Sequence, residues 1–129
     1  MLRQQDLINR VGVQAFDWDY LRDLRRLDSD QVLGALGPPN SRGGKKLTDA
    51  EKQLSPLWLD EIKSFRAQVV VWNRQVEATA IQAAHALGLK VWVYTIDDST
   101  VAAQLLAAGV DGLITNNPAV IWRALALQP

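Results

Sequence analysis

The sequence predicts an α/β chain built from repeated parallel β/α units. Three observations carry this. Five short apolar runs each precede an amphipathic segment. The last three runs begin near residues 68, 90 and 111, a spacing of about 22 residues. The third run, Gln68 to Trp72, is apolar over almost its whole length, as expected for a strand covered on both faces. Strands that alternate with helices pair in parallel through crossover connections.

The first strand is read at Val11 to Phe16. Asp17 or Asp19 caps the helix after it, with Tyr20, Leu21, Leu24 and Leu27 on one face and Arg22, Arg25 and Arg26 toward water. The second strand is Gln31 to Leu36. Residues 37–53 break the rhythm. Turn formers crowd Gly37 to Lys46, which predicts a flexible loop insertion, and helical character resumes near Thr48. Ser55-Pro56 then marks a helix start whose buried stripe is Trp58, Leu59, Ile62 and Phe65. After the third strand, a helix from about Glu77 to Leu87 turns Ile81, Ala84 and Leu87 inward and stops at Gly88. The fourth strand is Lys90 to Ile96. Asp98 or Ser99 caps the next helix, which carries Val101, Leu105 and Leu106 and ends at Gly109. The fifth strand is Gly112 to Thr115. Asn117-Pro118 opens a last helix with Val120, Ile121, Ala124 and Leu125.

Units of this length fit a (β/α)8 barrel of roughly 250 residues or a small doubly wound sheet. No glycine-rich phosphate turn follows any strand, which counts against the second, and pattern alone leaves both open.

Composition narrows the function classes. The chain has 129 residues, one ordinary domain. Hydrophobic residues at 48% and charged residues at 22% describe a globular chain rather than a disordered one. Fourteen basic and fourteen acidic side chains cancel, so no net field steers nucleic acid or an anionic membrane. With no cysteine, disulfides, thiolate metal sites and thiol nucleophiles are all excluded. The N-terminus lacks the apolar core of a signal peptide, and no apolar run approaches the roughly 20 residues that span a bilayer. A cytoplasmic protein is the expectation. A single histidine restricts hydrolytic and metal chemistry further.

Four stretches carry a family resemblance. His85-Ala-Leu-Gly-Leu-Lys-Val-Trp-Val-Tyr-Thr-Ile-Asp97 resembles the penultimate barrel strand of glycerophosphodiester phosphodiesterases, which ends Trp-Thr-Val-Asn. Gly109-Val-Asp-Gly-Leu-Ile-Thr-Asn-Asn-Pro118 resembles that family's last strand, written Gly-Val-Asp-Gly-Ile-Ile-Thr-Asp-x-Pro. Val13-Gln-Ala-Phe-Asp17 resembles its fourth strand and Gly34-Ala-Leu36 its fifth. The resemblance covers roughly residues 8 to 125 in order. It implies an incomplete TIM-type barrel, about five of eight units, holding strands four to eight. Residues 1–10 would then be the tail of the preceding helix.

The resemblance implies a phosphoric diester hydrolase of glycerophospholipid breakdown. Such enzymes use a divalent metal, calcium or magnesium, held by carboxylates, with two catalytic histidines. Those groups belong to a His-Arg-Gly motif, a Glu-x-Asp pair, a later His-Asp and a third-strand Glu, none of which has a counterpart here. The chain is therefore expected to hold no catalytic residue and no metal, and to be inactive alone. Its departures from the pattern are Ala15 for Ser, Tyr94 for Trp, Asp97 for Asn and Asn116 for Asp.

Strand C-terminal ends face the site of a barrel. Phe16, Trp72, Asn73, Tyr94 and Thr95 are thus the candidate lining of a glycerol-type pocket in a completed barrel. Arg42, Lys45 and Lys46 sit on the same side in a glycine-rich loop and are candidates for a phosphate contact. Asp97-Asp98 is a weaker cation candidate, since Asp98 serves as a helix cap. His85 lies among alanines and reads as a surface or packing residue, and Gly109 to Gly112 as a structural turn at the barrel bottom. Five parallel strands do not close. Their edges call for the missing N-terminal barrel segment as a partner, or for self-association. The alternative function is a non-catalytic partial-barrel domain that binds itself, a partner chain or a small polyol.

Overall fold

The computed structural model describes residues 12–126. Readings placed on residues 1–11, including the helix tail, lie outside the described residues. The elements in order are β1 (Gly12–Ala15), α1 (Trp18–Leu27), β2 (Val32–Leu36), β3 (Ser41–Arg42), β4 (Lys45–Lys46), α2 (Asp49–Lys52), α3 (Pro56–Ser64), β5 (Val69–Trp72), α4 (Ala78–Ala86), β6 (Lys90–Val93), α5 (Ser99–Ala107), β7 (Gly112–Leu113) and α6 (Pro118–Ala126). Five strands form one parallel sheet in the order β1-β2-β5-β6-β7, and β3 and β4 form a separate antiparallel hairpin. The sheet is open: among the described residues β1 and β7 have one neighbour each. These are parallel β/α units, as the repeat predicts.

Helix boundaries follow the chemistry read from sequence. Asp17 accepts from Tyr20 N, and Asp98 accepts from Thr100 N and Val101 N. Pro56 occupies the first turn of α3. Gly88 and Gly109 end α4 and α5 at φ +79° and +106°, a region open to glycine at no steric cost.

Alternation along each strand sorts its side chains into two sets. Leu33, Ala35, Val70, Trp72, Val91 and Val93 face the helices and join Leu21, Leu59, Ile62 and Ile81 in the core. Burying one such side chain contributes about 1.5–3 kcal/mol. Trp18, Trp58 and Trp72 form an aromatic knot at the C-terminal end of the sheet, with centroids 5.7 to 6.3 Å apart.

The faces assigned to the first helix need correction. Arg25, expected in water, is 5% exposed. Its guanidinium donates to Ser29 O at 2.9 Å, Arg66 O at 2.8 Å and Gln68 Oε1 at 3.1 Å, closing the turns at the N-terminal end of the sheet. Tyr20 and Leu27, expected inside, are 50% and 74% exposed. Residues 37–53, read as a flexible loop, carry the hairpin β3–β4 and helix α2. Among the described residues no helix is long and apolar enough to cross a membrane.

Candidate functional site

The parity that buries Trp72 turns Phe16 and Tyr94 the other way. Both follow the last residue of a strand, and Tyr94 N extends the β6 ladder by donating to Trp72 O at 2.9 Å. Their rings meet edge to face, 6.1 Å between centroids at 88°. Tyr94 donates its hydroxyl to Gly37 O at 2.5 Å, and burial pushes its pKa up. The phenol therefore stays neutral, its proton committed and its oxygen still able to accept. The Gly37–Pro38 and Tyr94–Thr95 peptide bonds beside it are cis.

These rings border a depression of about 440 Å³ shared with Lys52 and Asn73. A neighbouring depression of about 570 Å³ is bordered by Arg74 and Thr95. Asp49, Asn73, Gln75 and Tyr94 line both, so the two form one crevice. Each volume suits a small ligand.

Helix α2 forms one wall, and three side chains hold it there. Trp58 Nε1 donates to Glu51 O at 2.8 Å, Trp72 Nε1 to Lys52 O at 2.9 Å, and Gln75 Nε2 to Asp49 O at 2.9 Å. These donors satisfy carbonyls that a four-residue helix leaves unpaired. At the other end, Thr48 and Glu51 make a reciprocal capping box. Asn73 in turn clamps Gln75: its Oδ1 accepts from Gln75 N and its Nδ2 donates to Gln75 Oε1, both at 2.9 Å.

The predicted lining is thus only partly assembled. Phe16, Asn73, Tyr94 and Thr95 border the crevice. Trp72 does not: it is 0% exposed on the helix side of β5, where its indole fixes α2. Arg42 stacks over Trp58 at 5.2 Å and lies 3.9 Å from Glu61, lining a separate depression of about 300 Å³ beside Trp18. Lys45 and Lys46 are exposed on the hairpin, and neither borders the crevice. Sequence reasoning missed Asp49, Lys52, Arg74 and Gln75. A signal existed for Arg74 and Gln75, which follow directly after a strand's C-terminal end.

Asp97 joins two loops on this side. Its Oδ1 accepts from Asn116 N at 2.8 Å and Thr115 Oγ1 at 2.9 Å, and its Oδ2 from Asn116 Nδ2 at 3.1 Å. The Asn116 amide and the two side-chain donors hold its carboxyl below the usual range. Asp98 is committed to its helix. Among the described residues no group of three His, Cys, Asp or Glu side chains gathers to hold a metal ion. The described residues therefore do not fit a divalent cation, which takes several oxygen ligands at once.

His85 lies at the opposite end. Its Nε2 is 2.7 Å from Asp111 Oδ2, which also accepts from Val91 N at 2.8 Å. Burial raises the Asp111 pKa, but the Val91 amide and His85 outweigh it and the net direction is down. This ties α4 to the turn before β7, so His85 and the Gly109–Gly112 stretch act in packing.

The sequence model of the glycerophosphoryl diester phosphodiesterase family matches residues 4–120. No curated protein matches by sequence. Among solved structures, a protein from Silicibacter pomeroyi DSS-3 assigned as a glycerophosphoryl diester phosphodiesterase superposes with a TM-score of 0.79 at 24% identity, covering 97% of this chain and 41% of that one. A protein from Galdieria sulphuraria assigned as a glycerophosphodiester phosphodiesterase gives 0.76 at 19%, covering 97% and 47%. An Oleispira antarctica phosphodiesterase, solved with the product sn-glycerol-3-phosphate, gives 0.71 at 17%, covering 88% and 40%. The chain thus spans less than half the length of each of these structures.

Proposed function

The chain belongs to the glycerophosphoryl diester phosphodiesterase family, and from that premise we propose that it forms the polyol-facing wall of a barrel whose complete form hydrolyses glycerophosphodiesters. The observation that carries this is the Phe16–Tyr94 pair at the strand C-terminal ends, bordering one crevice with Asn73 and Thr95. That end of a β/α barrel is where its sites sit. A polyol lays its C–H faces on the aromatic rings and its hydroxyls on Asn73 and Thr95. The product held by the Oleispira relative, sn-glycerol-3-phosphate, has such a polyol half.

In this family a divalent metal, calcium or magnesium, and histidines serve the chemistry, and neither a His-Arg-Gly nor a Glu-x-Asp motif occurs in these 129 residues. The chain's one histidine supports the reading that it is inactive alone. Glycerophospholipid breakdown in the cytoplasm is the setting this reading carries with it. The test is turnover of glycerophosphocholine by the purified chain in calcium or magnesium. No hydrolysis is expected, and metal-dependent turnover would overturn the reading.

The open edges of β1 and β7 favour a second reading, a partial barrel that associates with another chain and performs no catalysis.

A further inference from the structure

Residues 38–47 run between two depressions. Pro38 and Asn40 border the crevice, while Pro39, Ser41, Arg42 and Gly43 border the depression of about 300 Å³ beside Trp18. Phe16 borders both, so this segment is the partition between them.

Both roots of the partition are fixed. Gly37 N donates to Val71 O at 2.8 Å, and Gly37 O accepts the Tyr94 hydroxyl at 2.5 Å. A side chain at Gly37 has no room, since its Cβ would lie 2.2 Å from the Trp72 ring. At the other root, the capping box of Thr48 and Glu51 opens α2, whose carbonyls two indoles and Gln75 hold.

Between the roots the segment is weakly held. Strands β3 and β4 have two residues each and pair Ser41 with Lys46 and Arg42 with Lys45. Gly43 and Gly44 turn the chain at φ +60° and +79°, as a tight hairpin turn requires. Leu47 N adds one bond to Asn40 O at 2.9 Å. A two-stranded hairpin is marginal in water by itself, so one this short needs a contact with the rest of the chain. Arg42 supplies it. Its guanidinium lies over the Trp58 ring at 5.2 Å and 3.9 Å from Glu61 Oε1. The same oxygen takes Arg22 at 3.4 Å, and Arg22 is held in turn by Asp19 at 2.8 Å and lies over the Phe65 ring at 5.1 Å. Lys45 adds only a charge felt by the exposed Glu51.

We infer that residues 38–47 form a strap latched shut by Arg42 on Trp58 and Glu61, and that its release joins the crevice to the second depression. One partly exposed cation–π contact shifts such an equilibrium about fivefold, so the latched and released states stay close enough to exchange. The joined space admits a ligand longer than either depression alone takes. The strap stands on its own contacts and does not depend on which ligand the crevice holds.

The experiment follows amide hydrogen exchange of the full chain by NMR. The Leu47 amide reports the strap and the Gly37 amide its root. Arg42→Gln is expected to speed exchange at Leu47 about fivefold and to leave Gly37 unchanged, a local opening rather than a global one. Lys46→Gln, which alters a hairpin cation outside the latch, should exchange as the parent does. Equal Leu47 exchange in Arg42→Gln and the parent, an equal acceleration at Gly37, or the same acceleration in Lys46→Gln overturns the latch. The swing is read separately. The chain has no cysteine, so spin labels at Lys46→Cys and Leu57→Cys, two exposed positions on the hairpin and on α3, report a single pair. One main distance is expected, and adding Arg42→Gln should bring in a longer one. A distance distribution that Arg42→Gln leaves unchanged overturns the strap.

Discussion

Asp97 and Asn116 exchange places relative to the pattern the sequence resembles, which has an amide at the first position and a carboxylate at the second. The structure shows the physical sense of a paired change, because the two side chains bond each other. One carboxylate and one amide satisfy the contact in either order, whereas two carboxylates repel. Asn116→Asp is therefore expected to lower the melting temperature, and Asp97→Asn added to it to restore most of the loss. An additive double variant would show that the pair is not coupled. The pH dependence follows from the depressed Asp97 pKa. A carboxyl held low in the folded chain stabilises above its ordinary pKa, and that stability is lost as pH falls through the folded value. Asp97→Asn should flatten the acid limb of the stability profile, and melts below the usual carboxylate range measure it.

At the scale of elements, α2 is the case where tertiary bonding outweighs local weakness. Four residues are too few for an isolated helix to persist in water. Here the capping box holds one end, and two buried indoles and a glutamine hold the carbonyls. Thr48→Ala removes the cap and should cost about 1 kcal/mol of local stability. Faster hydrogen exchange at the amides of α2, with the sheet amides unchanged, would register it. Trp72→Phe keeps the core volume nearly filled but leaves Lys52 O without its donor, a cost of about 1–3 kcal/mol. Denaturant melts measure that loss, and the crevice wall should loosen with it. The Ser-Pro start of α3, the glycine stops of α4 and α5 and the aspartate caps were legible because each acts within a few residues. The hairpin was not, and although helical character near Thr48 was, the side chains that hold α2 were not, because they lie on α3, on β5 and in the loop after β5.

For the whole molecule, the open sheet is the dominant fact. β1 and β7 present strand edges without a second neighbour among the described residues, and Trp122 on α6 is 76% exposed. Such edges pair with other chains. Sedimentation of the lone chain should show mass rising with concentration, and a monomer throughout the accessible range would count against edge pairing.

Periodicity and turn chemistry by themselves determined the parallel β/α repeat, the helix starts and stops and most of the core, because these depend on near neighbours and on 2.0- and 3.6-residue periods. The motif stretches pointed to the family. Only the tertiary structure decided which strand-end residues face the crevice. Trp72 and Tyr94 both follow apolar runs, yet one side chain faces the helices and the other the crevice, since a strand reverses its side chains at every residue. Arg25 was misread for a related reason: its partners are backbone carbonyls and the Gln68 side chain, two of them 41 and 43 residues away in sequence, and no local pattern announces those.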